Sequence, residues 1–141
     1  MDPPTFRNNL EALTNTVKAA GCTPILVTSL CRRTFSGGQL KDILAPFADQ
    51  TIAVGKKLNV PVLPLLADSR AYVAKLGSAN ANQFNFVGEK TTGRDTTHLN
   101  ALGSKFFGRM VADEMKKAVP ALAANIKADA VTSGKIAAGT L

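Results

Sequence analysis

The fold class is indicated most directly by one run of sequence, Pro24-Ile25-Leu26-Val27-Thr28-Ser29-Leu30. The run is nearly continuously apolar instead of alternating between apolar and polar residues, which predicts a strand buried on both faces. A second short strand is predicted over Val60-Pro61-Val62-Leu63-Pro64-Leu65-Leu66, where the prolines favour an edge position or an irregular strand. Strands of this kind are typical of parallel sheets that helices cover.

Helical periodicity surrounds both predicted strands. An amphipathic stripe predicts a helix over residues 5–20, and a second stripe over residues 40–58 contains Pro46, which predicts a kink or a division into two helices. A short helix is expected over residues 68–77, with an Asp-Ser pair as its N-cap, and a longer one over residues 100–120. The first stripe consists of Phe6, Leu10, Leu13 and Val17.

The order of these elements predicts an α/β fold, in which helices cover a parallel sheet. Only two strands are evident, whereas an ordinary sheet has about five or six. Because two apolar strands need neighbours, we expect residues 1–120 to be the second half of a larger α/β domain. Residues 121–141 are an Ala-rich tail, expected to be a weak helix or frayed, and residues 78–97 are predicted to be a long loop of the kind that is often functional.

The composition fits one globular domain. The chain has 141 residues, of which 45% are hydrophobic and 19% charged, and a domain usually has about 100 to 200 residues. No apolar run approaches the roughly 20 residues that a membrane span needs, and residues 1–20 lack the basic start and apolar block of a secretion signal. We therefore expect no membrane partner, and the localisation stays open.

The net charge of +7 raises the question of an anionic partner such as nucleic acid. The basic residues occur as singles and three pairs, without interleaved aromatic residues. Trp is absent and Tyr72 is the only tyrosine, whereas proteins that bind single strands rely on aromatic stacking. Solvated helix faces explain the charge better, so no nucleic-acid partner is predicted.

The cysteines and the single histidine predict neither a disulfide nor a metal site. Cys22 and Cys31 bracket the first predicted strand. At about 3.3 Å per residue, their Cα atoms lie farther apart than the roughly 7 Å that a disulfide allows. Two cysteines without CxxC spacing and one histidine also fall short of a zinc site. We expect no metal and no cofactor.

One motif carries chemistry, Asp95-Thr96-Thr97-His98, which contains the only histidine. An aspartate three residues before a histidine can fold back across a turn and accept the Nδ1 proton, which leaves Nε2 as an outward-facing base. Such a pair activates a hydroxyl nucleophile. A histidine beside a helix start also serves as a capping or surface group, and the motif alone leaves both interpretations open.

The motif and its surroundings resemble a known family. Asp95-Thr96-Thr97-His98-Leu99-Asn100-Ala101-Leu102-Gly103 is similar to the C-terminal block of the SGNH (GDSL-type) hydrolases, where D-x-x-H precedes a polar residue and a glycine in the last helix. Residues 21–33 and 60–77 look like the corresponding stretches of the rhamnogalacturonan acetylesterase branch. Together the resemblance covers residues 5–120.

The resemblance implies a three-layer α/β/α, flavodoxin-like domain with a parallel sheet of about five strands. It also implies hydrolysis of an acetylated carbohydrate or a small ester, with His98 as general base and Asp95 as the acid that orients it. The family's opening G-D-S block, which supplies the serine, and its blocks of oxyanion donors have no counterpart here. We therefore expect no nucleophile in this chain and little catalysis by the chain alone. Members of the family are often secreted.

One serine and two arginines follow the predicted strands. Ser69 follows a predicted strand, but the residue two positions before it is Ala67, where the family has glycine, so Ser69 is not expected to be the nucleophile. Arg32 and Arg33 follow the first strand at its carboxyl end, where open α/β sheets bind ligands. They are candidates for contacts with an acidic sugar, or else belong to a solvated loop.

Two functions remain open from the sequence. The first is a carboxylic ester hydrolase of the SGNH type, an acetylesterase for pectin-like carbohydrate, present as a partial domain. The second is a catalytically inactive remnant that acts as a binding or interaction protein. The sequence predicts no oligomeric state.

Overall fold

The computed structural model describes residues 1–88 and 95–141. Along these residues the helices are α1 (Pro3–Ala19), α2 (Ala45–Leu58), α3 (Leu65–Ala81), α4 (Ala101–Ala118) and α5 (Ala130–Ala138). The strands are β1 (Leu26–Val27), β2 (Phe35–Ser36), β3 (Gln39–Leu40), β4 (Val62–Leu63), β5 (Asn85–Phe86) and β6 (Asp95–Leu99). Short 3-10 helices occupy Asn82–Phe84 and Pro120–Asn125.

The strands form three separate pairs, and one of them is parallel. Strand β1 pairs in parallel with β4, and Leu26 lies opposite Val62. Strands β2 and β3 form an antiparallel hairpin, and β5 and β6 form a second antiparallel pair. The α/β class is therefore confirmed as a small parallel sheet among helices. The sheet of about five parallel strands is not found in the described residues, where the other two pairs are antiparallel.

The strand predicted over residues 24–30 is shorter than expected and is not buried on both faces. It consists of Leu26 and Val27, of which Leu26 is buried and Val27 is 44% exposed. Within the described residues β1 has a strand neighbour on one side only, which is β4. Thr28 leaves the strand, and its hydroxyl accepts a hydrogen bond from the backbone N–H of Leu66 at 2.9 Å.

The second apolar run divides at Pro64 into a strand and a helix. Strand β4 ends at Leu63, and α3 begins at Leu65, so the expected N-cap at Asp68 and Ser69 is wrong. Proline at position 64 occupies the N-cap position of the helix, and the hydroxyl of Thr28 satisfies one of the N–H groups left free in its first turn. Helical residues continue to Ala81, but Gly77 has non-helical backbone angles, with φ at +71°, so the helix is interrupted at the residue where the sequence predicts its end.

The first two helices differ from their predicted stripes at single positions. Helix α1 buries Thr14, while Leu13 is 62% exposed although the stripe places it inward. Pro46 does not kink α2 but lies in its first turn, where proline fits because the N–H it lacks has no helical partner. The two helices pack together, with the rings of Phe6 and Phe47 edge to face at 5.4 Å.

An aromatic cluster forms the centre of the core between α3 and α4. Tyr72 stacks on Phe106 with the ring centroids 6.1 Å apart, and Phe84 and Phe107 pack beside them. The apolar face predicted for α4 is confirmed at Phe106, Phe107 and Met110, each at most 4% exposed. Burial of such side chains contributes about 1.5 to 3 kcal/mol each, so this cluster holds α4, and with it the segment that precedes α4, in place.

The Ala-rich segment is helical and packed rather than frayed. Asp129 caps α5, and the hydroxyl of Tyr72 donates a hydrogen bond to the backbone carbonyl of Thr140 at 2.7 Å. Ile136 and Leu141 pack against the core. The division of the chain at residue 120 stays a prediction.

The long loop predicted over residues 78–97 contains the end of α3, strand β5 and the start of β6, and its residues 89–94 lie outside the described residues.

Among the helices described, none is long and apolar enough to cross a membrane. Both cysteines are free, with Cys31 buried and Cys22 exposed.

Candidate active site

The candidate acid, Asp95, and the candidate base, His98, both lie on β6, and hydrogen bonds to the Asp95 carboxylate hold the backbone between them. One carboxylate oxygen, Oδ1, accepts hydrogen bonds from the backbone N–H groups of Thr97 at 2.9 Å and His98 at 2.8 Å. The other, Oδ2, lies 2.7 Å from Nδ1 of the imidazole. The contact that the sequence predicts is therefore present, and the catalytic roles of the two residues stay predictions. The His98 side chain is 76% exposed, which leaves its far edge open to a substrate.

The hydrogen bonds fix the charge of the acid. The backbone N–H of His98, then its side chain, then the backbone N–H of Thr97 lower the pKa of Asp95 to about 2. An ionised carboxylate can only accept, so Nδ1 must be the donor in this contact. The neutral ring then carries its proton on Nδ1, and Nε2 keeps a free lone pair. This is the tautomer that a general base needs.

The start of α4 fixes the end of the strand that carries the histidine. Asn100 caps the helix, because its Oδ1 accepts from the backbone N–H of Gly103 at 2.9 Å. Its side-chain amide donates to the carbonyl of Gln83 at 2.7 Å, and its backbone N–H donates to the carbonyl of Phe84 at 3.0 Å. The polar residue after the D-x-x-H motif thus ties β6, α4 and the preceding 3-10 helix together.

Gly103 allows these elements to approach closely. A Cβ atom at this position would lie 2.9 Å from the carbonyl oxygen of Phe84 and 2.8 Å from the Leu99 side chain. Any side chain here would push the helix away from β5 and β6. The glycine that the family motif carries therefore has a packing reason in this chain.

The structure separates the two arginines for which the sequence leaves open a substrate contact or a solvated loop. Arg32 is exposed, whereas Arg33 is 1% exposed. The Arg33 guanidinium donates from Nε to Oδ1 of Asn85 at 2.7 Å and from Nη2 to the backbone carbonyl of His98 at 2.6 Å. Its backbone N–H donates to the carbonyl of Thr96 at 3.0 Å. Arg33 therefore contacts the protein and not a cleft, and a substrate contact remains a prediction for Arg32.

Arg33 supports the histidine from the interior. Burial lowers the pKa of its guanidinium, and the nearby charge of Asp95 acts in the opposite direction. Because arginine stays protonated in proteins, the buried cation is stabilised by the acceptors around it. Sequence reasoning missed Asn85, which lies 52 residues after Arg33 and carries no local signal for this contact.

A groove of about 790 Å³ borders the exposed face of His98. Apolar side chains and two hydroxyl groups line it together with the acid and base. The hydroxyl groups belong to Thr97 and to Ser104, which lies in the first turn of α4, six residues after the histidine. The apolar lining consists of Leu30, Phe86 and Leu99.

Ser69 does not border this groove. Its side chain is fully buried, and its hydroxyl accepts from the backbone N–H of Cys31 at 3.1 Å and donates to the carbonyl of Leu66 at 3.3 Å. The Ser69 hydroxyl therefore both donates and accepts a hydrogen bond within the core.

Across residues 1–88 and 95–141, there is no group of three or more His, Cys, Asp or Glu residues that could hold a metal ion.

Comparison with known proteins finds a distant relative. The rhamnogalacturonan acetylesterase RhgT of Bacillus subtilis (strain 168) is 27% identical over 122 residues, covering 80% of this chain and 52% of that protein. The chain therefore spans about half the length of the curated relative it matches. No family model matches the sequence, and no solved structure matches it. The similarity relates the chain distantly to an acetylesterase.

Proposed function

We propose that this chain carries the general-base part of an SGNH-type serine ester hydrolase that removes acetyl groups from carbohydrate. His98 is the base and Asp95 orients it. The observation that carries the proposal is the 2.7 Å contact between Nδ1 of His98 and Oδ2 of Asp95, with most of the imidazole exposed. Ester hydrolysis by a hydroxyl nucleophile needs a base of this tautomer and orientation.

The proposal has two further supports. The relative found by comparison is an acetylesterase, and the D-x-x-H block of this chain resembles the base block of SGNH hydrolases. Asn100 and Gly103, which follow the motif, make contacts that hold the base in place. The exposed Arg32, in the segment that follows β1, is the proposed contact for an acidic sugar.

The proposed chemistry uses His98 twice. Its Nε2 takes the proton of the attacking hydroxyl as that oxygen bonds to the acetyl carbonyl carbon, and Asp95 stabilises the imidazolium that forms. The same proton then passes to the sugar oxygen as the ester bond breaks. The attacking serine and the oxyanion donors are supplied by the family blocks that this sequence lacks. For this chain alone the expected rates are therefore low.

The chain's single histidine makes a direct test possible. Long-range ¹H–¹⁵N spectra contain one imidazole, and we expect them to show that the neutral ring carries its proton on Nδ1. With p-nitrophenyl acetate, an activated acetyl ester, we expect release of p-nitrophenolate that His98→Ala reduces to background. His98→Gln is a second variant of similar size. Equal rates in the wild-type chain and both variants, with a folded circular dichroism spectrum, would contradict the assignment of His98 as base.

A further inference from the structure

The size and lining of the groove at His98 distinguish among the substituents that a carbohydrate can carry. Its volume is about 790 Å³, and pockets for small organic molecules usually have about 300 to 1,000 Å³. The groove is therefore far larger than one acetyl group requires. Its apolar lining consists of Leu30, Phe86 and Leu99, so we expect a larger group with apolar surface to lie beside the base.

Phe86 is the most exposed of the three apolar side chains. It lies on β5 opposite Asp95 of β6 and is 44% exposed, whereas Leu30 and Leu99 are half-buried and pack against the core. An aromatic side chain has a large apolar area, and a ligand that covers this area removes it from water. Phe86 thus offers an apolar surface on which a sugar ring and its substituents can pack.

The polar groups of the groove differ in their availability. The carboxylate of Asp95 already accepts from two backbone N–H groups and from the imidazole of His98. The hydroxyl groups of Thr97 and Ser104 border the groove on exposed residues, and each can donate to a carbonyl oxygen. A sugar with free hydroxyl groups brings several donors, and each donor removed from water without an acceptor costs free energy. The lining therefore suits acceptors better than donors.

Acetyl esters have the matching chemistry. The ester carbonyl oxygen only accepts hydrogen bonds, and the acetyl methyl group is apolar. Carbonyl oxygens of neighbouring acetyl groups can accept from Thr97 and Ser104, while the methyl groups pack on Phe86. A single acetyl group would leave most of the groove to water.

We propose that this groove selects a carbohydrate ring that carries several neighbouring acetyl groups over one that carries a single acetyl group or none. Phe86 is the specificity-determining residue, because it packs on the ring and its acetyl groups. The inference rests on the proposed function, since it assigns the acetylated substrate to the groove of the proposed base.

The test measures binding and does not require turnover. The ¹⁵N-labelled chain is titrated with methyl glucoside tetraacetate, and ¹H–¹⁵N correlation spectra follow the backbone amides of Thr97, Leu99 and Ser104. We expect saturable shifts of these amides, and binding weaker on the order of tenfold for the monoacetate and for the free methyl glucoside. The permethylated glucoside is apolar but lacks carbonyl acceptors, and it should also bind more weakly than the tetraacetate.

Two variants test the assigned contacts. Phe86→Ser should weaken binding of the tetraacetate on the order of tenfold, because the apolar area of the ring is lost. Ile52→Ser is the matched control, since Ile52 is 48% exposed and lines a different cavity, and it should leave binding unchanged. Ser104→Ala removes one donor and should weaken binding roughly fivefold. Circular dichroism shows whether each variant is folded.

Equal binding of the tetraacetate and of the free, monoacetylated or permethylated glucoside would overturn the inference. Equal binding by the wild-type chain and a folded Phe86→Ser, or the absence of shifts at millimolar tetraacetate, would overturn it too. Turnover of p-nitrophenyl acetate that depends on His98 would in those cases leave the proposed function standing. Selective binding of the tetraacetate without His98-dependent turnover would support the groove assignment and contradict the proposed function.

Discussion

The guanidinium of Arg33 donates a hydrogen bond to the backbone carbonyl of His98 at 2.6 Å. The two residues are 65 positions apart in sequence, and the same guanidinium holds Asn85 of β5 at 2.7 Å. Asp95 thus fixes the ring of the histidine on the exposed side, while Arg33 fixes its backbone on the buried side. The candidate base is oriented by two separate sets of contacts.

Replacing Arg33 by methionine should destabilise the fold and disturb the histidine. Methionine has a similar length but no donors, so Asn85 Oδ1 and the His98 carbonyl lose their partners. We expect a loss of about 2 to 4 kcal/mol in the free energy of unfolding. Arg32→Met is the matched control, since Arg32 is exposed, and should change the stability by less than about 0.5 kcal/mol. Urea denaturation followed by circular dichroism measures both.

The imidazole resonances of the single histidine give an independent readout. In the folded Arg33→Met chain, without urea, we expect altered chemical shifts for the ring and backbone of His98. Arg32→Met should leave these chemical shifts unchanged. A folded Arg33→Met chain with wild-type stability and wild-type imidazole shifts would show that Arg33 does not position the base.

Much of the fold could be predicted where the pattern is strong and local. Helix α4 was predicted because Phe106, Phe107 and Met110 repeat at helical spacing, and the structure buries them against the core. The hairpin of β2 and β3 was not predicted, although Gly37-Gly38 has the positive φ values that a tight hairpin turn needs. Its strands contain two residues each, too few for an alternating pattern to be recognised.

The candidate site likewise contains one contact that the sequence predicts and others that it does not. The contact between Asp95 and His98 spans three residues, so a turn-based argument predicts it from sequence. The burial of Arg33 could not be predicted, because arginine is rarely buried without partners and its partner Asn85 is brought to it only by the fold. Ser104 reaches the groove because α4 begins directly after β6, a placement that the motif does not reveal.

Asp95→Asn should reduce His98-dependent turnover while keeping the turn. The asparagine side chain retains an oxygen that can accept from the N–H groups of Thr97 and His98, but it no longer requires Nδ1 to be the donor. In other triads such a change costs about 10⁴ in rate at most. Asp95→Ala should in addition lose the turn, which backbone amide shifts of Thr97 and His98 report. Turnover by Asp95→Asn equal to that of the wild-type chain would mean that another group orients the ring.

Gly103→Ala should destabilise the chain, and Gly108→Ala in the same helix should not. At residue 103 the added methyl group meets the Phe84 carbonyl and the Leu99 side chain, both closer than 3.0 Å, and such overpacking costs about 1 to 3 kcal/mol. At Gly108 nothing lies within 4 Å, so alanine should stabilise the helix by up to about 1 kcal/mol. Thermal unfolding compares the two. Equal effects would contradict the close packing at residue 103.

Glu114 should make the chain less stable as the pH rises from 5 to 8. Burial and the charge of Asp68 raise its pKa in the folded chain to about 7, above the value of 4.5 for an unperturbed group. Between these two values the folded state binds more protons than the unfolded state, so the free energy of unfolding falls as the pH increases. The stability that this proton contributes is fully present below about pH 4.5 and is lost as the pH rises through about 7.

Glu114→Gln isolates this effect, because every other ionisable group is the same in the two chains. The amide is neutral at every pH, so the variant should gain stability over the wild-type chain at pH 8 by on the order of 1 to 3 kcal/mol, and the gain should shrink toward pH 5. Chemical denaturation at pH 5, 6.5 and 8 measures the difference between the two profiles. Parallel profiles would mean that Glu114 is ionised across this range in the folded chain, with a cation of the protein beside it.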